Sequence, residues 1–337
     1  MKDSKINIVI PSVQVSKELI YCLKKLNDQV YKNFFVTIVL DIDNKIILPK
    51  LKYKLNKVIS KRQNMSFKRN LGVQKFQSNL IAFLDSDAYP NKYWLKIAND
   101  LLMHEENKFT IFGGPSLPFP NQTLKEMLCY YAKRSTYVTG YLSFRKYKAK
   151  SRYCDWVESC CMFMRRELYL ENGQMSIKKY LGEDKELITK MKKNNNLIQV
   201  FFTPKLFIYH KERNIKKFLL QRMMFGSDLF NMITLNYDVR SYQPILPLLI
   251  SIFFISMIFI NIELNYKFFL VAFFLAFIQL IILIDIRKYL TSLRITFLTL
   301  CLINVANISY AIGSFFAILG IKNLINRKLY LRSRTNT

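Results

Sequence analysis

The sequence predicts an α/β fold in which a mostly parallel sheet precedes a carboxyl-terminal helical region. Two apolar runs of strand length, residues 34–40 and 80–84, are each followed directly by aspartates. Residues 18–26 carry apolar side chains at helical spacing, so strand, helix and strand form a βαβ unit. Late in the chain come three long stretches almost free of charged residues. These observations predict a doubly covered parallel sheet followed by membrane-length helices.

The remaining strands and helices follow from the same patterns. Residues 5–12 predict a first strand that ends at Pro11, and 58–60 predict a short third strand. Residues 66–76 predict a helix before the strand that ends at Asp85, and 109–112 predict a further strand. Parallel strands end at the same edge of a sheet, so the aspartates that follow these strands would lie at one edge.

Composition limits the classes of function. The chain has 337 residues, a formal net charge of +28 and a pI near 9.8, which suit an anionic substrate or membrane surface. Nucleic acid is the rival partner, but the basic residues are dispersed and no zinc-finger, RNA-recognition or helix-turn-helix pattern is evident, so we predict no nucleic-acid binding. Six scattered cysteines without a Cys-x-x-Cys pair indicate reduced thiols rather than a disulfide framework or a zinc site.

The pair Asp85-x-Asp87 follows a buried strand, where the backbone would enter a crevice. Two carboxylates there can bind one hard cation that also carries phosphate oxygens, although acids in turns are more often simply solvated. His210 ends a later predicted strand and is a candidate third ligand, or a phosphate-binding or structural histidine. We therefore predict a Mg²⁺ or Mn²⁺ site at Asp85, Asp87 and His210.

Other candidates surround this site. Asp41 or Asp43 can accept hydrogen bonds from a base or ribose, and Arg69 can reach base or phosphate with its fork of donors. Asp184 opens a predicted helix after Gly182, where it is either a helix cap or a general base. Residues 133–152 hold seven basic and no acidic residues, typical of a loop that docks phosphate or simply meets solvent.

The carboxyl-terminal part predicts membrane association. Transmembrane segments are expected at about 241–262, 267–285 and 295–321. Residues 215–232 predict a basic amphipathic helix lying on the cytoplasmic leaflet, within a catalytic domain that covers 1–232. Three crossings would place the basic tail 322–337 outside, against the positive-inside tendency, so we expect 295–321 to be a hairpin or re-entrant segment and the tail to be cytoplasmic.

The ordered set of motifs resembles family 2 glycosyltransferases over about residues 5–232. The matching positions are Ile8 to Pro11, Val39 to Asp41, Lys68 to Gly72, Ile81 to Asp87, Trp94-Leu95, Arg165-Arg166, Gly182 to Asp184 and His210. The resemblance implies a GT-A (Rossmann-like) fold, a nucleotide-sugar donor, a divalent cation and inversion at the anomeric carbon. Gln221-Arg222 departs from the Gln-x-x-Arg-Trp of processive synthases, which favours single additions.

By position, the resemblance implies roles for several residues. Asp184 would be the base, and the donor would contact Pro11, Asp41 or Asp43, Arg69 and Asp85. The acceptor would contact Glu183, Trp156 and Arg165.

We expect a multi-pass cell-membrane enzyme with a cytoplasmic catalytic domain, acting on a lipid-linked or membrane-proximal glycan beside anionic lipids. The alternatives are a polyprenyl-phosphate sugar synthase and a non-catalytic basic membrane protein that binds anionic lipid or polysaccharide.

Overall fold

The computed structural model describes residues 4–60, 64–103, 110–178, 181–229 and 245–320, and the statements below concern these residues. They divide into two compact units. The first comprises residues 1–120 and 144–211, and the second comprises residues 121–143 and 212–337.

The first unit contains all the described strands, which form two sheets. The larger sheet has the order β3-β2-β1-β4-β9-β6-β10-β8, and the smaller has the order β5-β11-β7. The strands are β1 (Ile6–Pro11), β2 (Phe34–Leu40), β3 (Lys54–Ile59), β4 (Leu80–Leu84), β5 (Ala88–Pro90), β6 (Ile111–Gly113), β7 (Ser116–Pro118), β8 (Arg152–Cys154), β9 (Cys161–Arg165), β10 (Val200–Phe202) and β11 (Ile208–His210).

Strand direction sets where the acids lie. β3, β2, β1 and β4 are mutually parallel, so β1, β2 and β4 end at one edge of the sheet. β9 runs antiparallel to both β4 and β6, which makes the sheet mixed. β1, β2 and β4 are buried along their whole length, in agreement with their mostly apolar sequences, and the polar side chains of Asn7 and Thr37 hydrogen-bond each other. The predicted α/β class and the four strands that lead to Asp85 are confirmed, while Phe109 of the predicted later strand lies outside the described residues.

Helices cover this sheet, and one of them approaches it closely. The helices of the first unit are α1 (Lys17–Leu26), α2 (Met65–Lys75), α3 (Trp94–Met103), α6 (Arg166–Glu171) and α7 (Glu183–Asn194), numbered along the whole chain. On α2, a Cβ atom added to Gly72 would lie 2.5 Å from Cγ1 of Val9 on β1. The missing side chain therefore lets α2 lie directly on the sheet, one turn from the basic pair Lys68-Arg69.

The second unit is helical. Its helices are α4 (Leu124–Arg134), α5 (Thr136–Thr139), α8 (Ile215–Ser227), α9 (Leu246–Phe259), α10 (Leu264–Arg287) and α11 (Leu293–Ile318). α8 and α11 cross where both carry glycine: a Cβ on Gly226 would collide with the Tyr310 carbonyl, and one on Gly313 with the Met223 carbonyl. The two backbones therefore touch, as at small-residue crossings in membranes.

Two of these helices, α10 and α11, are long and apolar enough to cross a membrane. The first predicted span gives only α9, whose 14 residues extend about 21 Å and fall short of the hydrocarbon core. Residues 241–244 of that prediction, and the predicted tail 322–337, lie outside the described residues.

The predicted hairpin within 295–321 is wrong, because α11 is one continuous helix over 26 residues. The polar and small residues that suggested a break are accommodated by neighbours instead. The Asn304 and Gln279 amides hydrogen-bond each other, with nitrogen–oxygen distances of 2.8 and 3.0 Å, and Gly313 packs on α8. Contacts with neighbouring helices therefore accommodate these residues without a break in α11.

The expected polar face of the 215–232 helix also needs correction. Arg222, one of the basic residues of this predicted amphipathic helix, is buried within the second unit against α5 and α11. The reason is that α8 packs along α11, a helix some 80 residues later in the chain, which no local periodicity could indicate. Residues 230–232 lie outside the described residues.

Candidate active site

Three predicted metal ligands lie together in the first unit. Asp85 and Asp87 follow β4, and His210 ends β11, which pairs with β5 directly after Asp87. One ligand atom from each of the three residues lies within 4.8 Å of the other two. The His210 Nε2 atom is 3.4 Å from an Asp85 oxygen and 3.5 Å from an Asp87 oxygen. Two carboxylates and an imidazole form a donor set that suits Mn²⁺ and accommodates Mg²⁺.

The orientation of His210 fits metal binding. Its Nδ1 atom lies 2.8 Å from the carbonyl oxygen of Lys211, which can only accept a hydrogen bond. Nδ1 therefore carries a ring proton, and Nε2 faces the two aspartates, where it donates when it is protonated and can bind a cation when it is not. A backbone carbonyl that fixes the tautomer in this way is typical of metal-binding histidines.

Arg69 joins this cluster to α7. Its Nη2 atom donates to Asp85 Oδ1 and its Nη1 atom donates to Glu183 Oε1, both at 2.8 Å. Burial would raise the pKa of Asp85, but the hydrogen bond with His210 and the charge of Arg69 outweigh it and hold that pKa well below its usual range. Asp85 is thus an anion at neutral pH, as a ligand must be.

Lys68, the neighbour of Arg69 on α2, holds the predicted nucleotide-binding acid Asp41. Its Nζ atom lies 2.9 Å from Asp41 Oδ1 and donates to the Ser12 carbonyl oxygen at 2.6 Å. Both side chains are almost fully buried, with 0% and 5% exposed. Lys68 was present in the sequence motif without a role, because nothing local indicates that a helical lysine meets an acid 27 positions earlier.

The predicted base Asp184 lies in the first turn of α7. Gly182, with φ of 69°, adopts the left-handed conformation that turns the chain into this helix. Asp184 Oδ2 accepts a hydrogen bond from the Ser159 N–H at 2.9 Å, and Oδ1 accepts one from the Lys185 N–H at 2.8 Å. Beside it, burial and the Asp184 charge raise the pKa of Glu183 to about 7 against the opposing effect of Arg69.

The segment that holds Asp184 is itself held by a lysine. Glu158 accepts hydrogen bonds from the Lys146 Nζ at 2.7 and 2.9 Å and from the Ser116 hydroxyl at 3.1 Å. Arg145 stacks on Trp156 at 4.0 Å. Arg145 and Lys146 of the basic stretch 133–152 are therefore buried rather than solvated. The twelve-residue separation of Lys146 and Glu158 has no helical or strand periodicity, so no sequence pattern predicts this contact.

Other candidates lie apart from the cluster. Asp43 is partly exposed and pairs with Lys57 of β3, and this contact lowers its pKa. Pro11 is buried at the end of β1, beside Val39. Trp156 is 9% exposed under Arg145, so its ring supports the 155–160 segment. Arg165 corrects the prediction: because β9 is antiparallel to β4, Arg165 pairs with Leu80 at the sheet edge opposite Asp85.

Comparison with known proteins fits this geometry. The model of the family described as Glycosyl transferase family 2 matches residues 7–171, from β1 through α6. The chain carries a family 2 glycosyltransferase domain. The predicted family and the predicted GT-A fold are thereby confirmed, and the mixed, mostly parallel sheet is the one that this fold requires. A search of curated proteins found no match.

Solved structures similar to this glycosyltransferase include crystal structures of S. aureus TarS. The structure of TarS 1-349 has 16% sequence identity and a TM-score of 0.45, and the match covers 71% of this chain and 68% of that one. A longer TarS structure has 15% identity and a TM-score of 0.44, with coverage of 71% and 41%. TarS 1-349 in complex with UDP-GlcNAc has 17% identity and a TM-score of 0.44, with coverage of 71% and 69%.

Proposed function

We propose that this glycosyltransferase moves one sugar at a time, with inversion, from a nucleotide-sugar donor to a lipid-linked or membrane-proximal glycan. The convergence of Asp85, Asp87 and the Nε2 atom of His210 is the observation that carries the proposal. Mg²⁺ or Mn²⁺ bound there would neutralise the diphosphate of the donor and stabilise it as a leaving group.

Asp184 is proposed as the general base. An acceptor hydroxyl attacks the anomeric carbon from the face opposite the leaving group, and its proton passes to the Asp184 carboxylate. The bond between the anomeric carbon and the diphosphate breaks, which releases a nucleoside diphosphate. The two backbone hydrogen bonds fix the Asp184 rotamer and leave each oxygen one lone pair for this proton.

The donor side is assigned to the edge where β1, β2 and β4 end. Asp41, oriented by Lys68, is proposed to accept hydrogen bonds from the base or ribose near Pro11. Arg69 is proposed to set the position of Asp85, and its buried Nε, which has no partner among the described residues, remains available to a donor oxygen. Asp43, exposed and paired with Lys57, is the weaker of the two acids predicted for this role.

Location at the cell membrane, with the catalytic domain in the cytoplasm, is part of the proposal. α10 and α11 are long and apolar enough to cross a bilayer, and the net charge of +28 favours anionic lipids. A catalytic domain in the cytoplasm would have access to soluble nucleotide sugars. Truncation before residue 212 would be expected to release the protein from membranes.

The test uses the purified full chain with a panel of UDP-, GDP- and dTDP-sugars, UDP-GlcNAc among them, with Mn²⁺, Mg²⁺ or EDTA. Slow release of nucleoside diphosphate identifies the donor, and product analysis separates transfer to a saccharide from transfer to a bare polyprenyl phosphate. Asp184→Asn should lower transfer about 10²- to 10⁴-fold while donor binding persists. Asp28→Asn, at an exposed acid on the surface of the same unit, is the matched control. Unchanged transfer in Asp184→Asn would remove the base assignment.

A further inference from the structure

The proposed base is held in place by a segment from another part of the first unit. Two N–H groups donate to the Asp184 carboxylate: that of Lys185 belongs to α7 itself, and that of Ser159 comes from the segment before β9. The Lys185 contact moves with α7, so it does not fix the carboxylate relative to the sheet. Among the described residues, the Ser159 N–H is the hydrogen-bond donor that does so, at 2.9 Å.

Ser159 lies in a tight turn at the start of β9. The Cys161 N–H donates to the Glu158 carbonyl oxygen at 2.9 Å, which closes a four-residue turn over residues 158–161. In such a turn the N–H of the second residue takes no part in the closing bond, so the Ser159 N–H can donate to Asp184. The position of Glu158, the first residue of the turn, therefore sets the position of this N–H.

The Glu158 side chain is anchored by two cations and a hydroxyl. Lys146 Nζ donates to its two oxygens at 2.7 and 2.9 Å, and the Ser116 hydroxyl donates to it at 3.1 Å. Arg145 Nη2 lies 3.8 Å from Glu158 Oε1. Lys146 Nζ also donates to Ser116 Oγ at 2.9 Å, so lysine, serine and glutamate form a closed triangle. Lys146 is buried, and charge-assisted hydrogen bonds with so little solvent access are strong.

The same triangle joins the base to the metal ligands. Ser116 is the first residue of β7, which pairs with β11, the strand that ends at His210. Ser116 therefore belongs to the small sheet that carries one metal ligand, while Glu158 begins the turn that holds the base. Lys146 donates to both residues and so connects the two parts of the site. A base held in register with the bound substrate contributes a large part of the acceleration in enzymes.

We propose that Lys146 is a positioning residue for glycosyl transfer, which sets the place of the general base through Glu158 and the Ser159 N–H. The inference rests on the proposed role of Asp184 as that base. Lys146 acts through these residues rather than on the substrate, so its loss should slow turnover and leave binding of the sugar donor and of the cation intact. The role requires a cation within reach of Glu158, so arginine should replace lysine with most of the activity kept.

The experiment measures kcat and KM of the purified full chain for release of nucleoside diphosphate, with water as acceptor, from the radiolabelled sugar nucleotide that the panel of UDP-, GDP- and dTDP-sugars identifies. Lys146→Met should lower kcat about 10- to 100-fold, because small displacements of a base are costly, while KM and Mn²⁺ binding change less than about twofold. Lys146→Arg should keep kcat within about threefold of the wild type. Lys205→Met, at an exposed position of the same unit, is the matched control and should not change kcat.

A double-substitution cycle separates positioning from a loss of folded protein. In the Asp184→Asn background, Lys146→Met should change kcat by less than about twofold, because the lysine acts through that carboxylate. A loss of folded protein would instead lower kcat by the same factor in both backgrounds, and that result would overturn the inference.

A further variant keeps the test decisive if Lys146→Met is unstable. Combining it with Glu158→Met removes both charges of the buried pair and should restore the melting temperature. The turn has still lost its anchor, so kcat should stay low; recovery of kcat together with the melting temperature would contradict the positioning role.

Asp184→Asn, measured in parallel, distinguishes the two proposals. If it lowers kcat and Lys146→Met does not, the role of Lys146 is wrong and the base assignment stands. If Asp184→Asn keeps the kcat of the wild type, both are wrong.

Discussion

Lys68→Met tests whether the buried pair at the end of β2 stabilises the catalytic domain. Lys68 Nζ and Asp41 Oδ1 are 2.9 Å apart and both side chains are nearly inaccessible to solvent. At an effective dielectric constant of about 20, this separation corresponds to about 6 kcal/mol of gross attraction, much of it offset by desolvation. Removing one partner leaves a buried charge uncompensated, so we expect Lys68→Met to lower the free energy of unfolding by about 3–5 kcal/mol.

The double variant separates the pair from simple packing. Asp41→Asn alone should also lower the free energy of unfolding by several kcal/mol, because the buried Lys68 ammonium then loses its counter-charge. The combination of Asp41→Asn with Lys68→Met removes both charges, and its cost should be smaller than the sum of the single costs by about 2 kcal/mol or more.

Tryptophan fluorescence gives a specific assay. The chain has two tryptophans, Trp94 and Trp156, and both lie in the first unit, so urea unfolding followed by their emission reports on that unit. If Lys68→Met lowers the free energy of unfolding by less than about 1 kcal/mol, the reasoning about this buried pair is refuted. The same holds if the effects of the two single substitutions on the free energy of unfolding simply add in the double variant.

Three further predictions concern other contacts. The raised pKa of Glu183, about 7 against an ordinary 4.5, means that the native state binds the extra proton. The contribution of Glu183 to the free energy of unfolding is therefore fully present below about pH 4.5 and is lost as pH rises through 7. Between pH 5 and 8 in EDTA, the free energy of unfolding of the wild type should fall by up to about 3 kcal/mol more than that of Glu183→Gln. Gly313→Val would place atoms against the Met223 carbonyl and should lower the melting temperature in detergent, whereas Cys301→Val, exposed on the same helix, should not. His210→Ala should weaken Mn²⁺ binding about tenfold or more, measured by calorimetry, and an unchanged affinity would exclude His210 from the site.

The sequence predicted most of the strands around the site because their signals are local. β1, β2 and β4 are short runs, apolar apart from Asn7 and Thr37 and bounded by polar residues, and Asp85 follows the last of them directly, with Asp87 two positions later. Strand direction has no such local signal. β9 runs antiparallel to both β4 and β6, which no local pattern indicates, and this direction puts Arg165 at the sheet edge opposite Asp85.

Contacts between side chains far apart in the chain are the other feature that the sequence does not predict. Lys68 was visible in a motif, yet its contact with Asp41 depends on how closely α2 approaches β1 at Gly72. Arg222 has the sequence neighbourhood of a surface helix, and its burial depends on α11. In both cases hydrophobic periodicity identifies the helix, while the contact is set by backbone packing that a single sequence does not encode locally.

The charge balance of the site explains how a strongly basic protein can hold a cation. The adjacent residues Lys68 and Arg69 of α2 connect acids from three elements: Asp41 after β2, Asp85 after β4 and Glu183 at the start of α7. With Asp87 and Asp184 added, the site has five carboxylates against two permanent cations, so it is locally acidic although the chain carries +28. The net charge can attract an anionic nucleotide from a distance, while the local excess of acid favours a divalent cation. It follows that neutralising Asp87 should weaken metal binding more than it slows encounter with the nucleotide, because only the first depends on local charge.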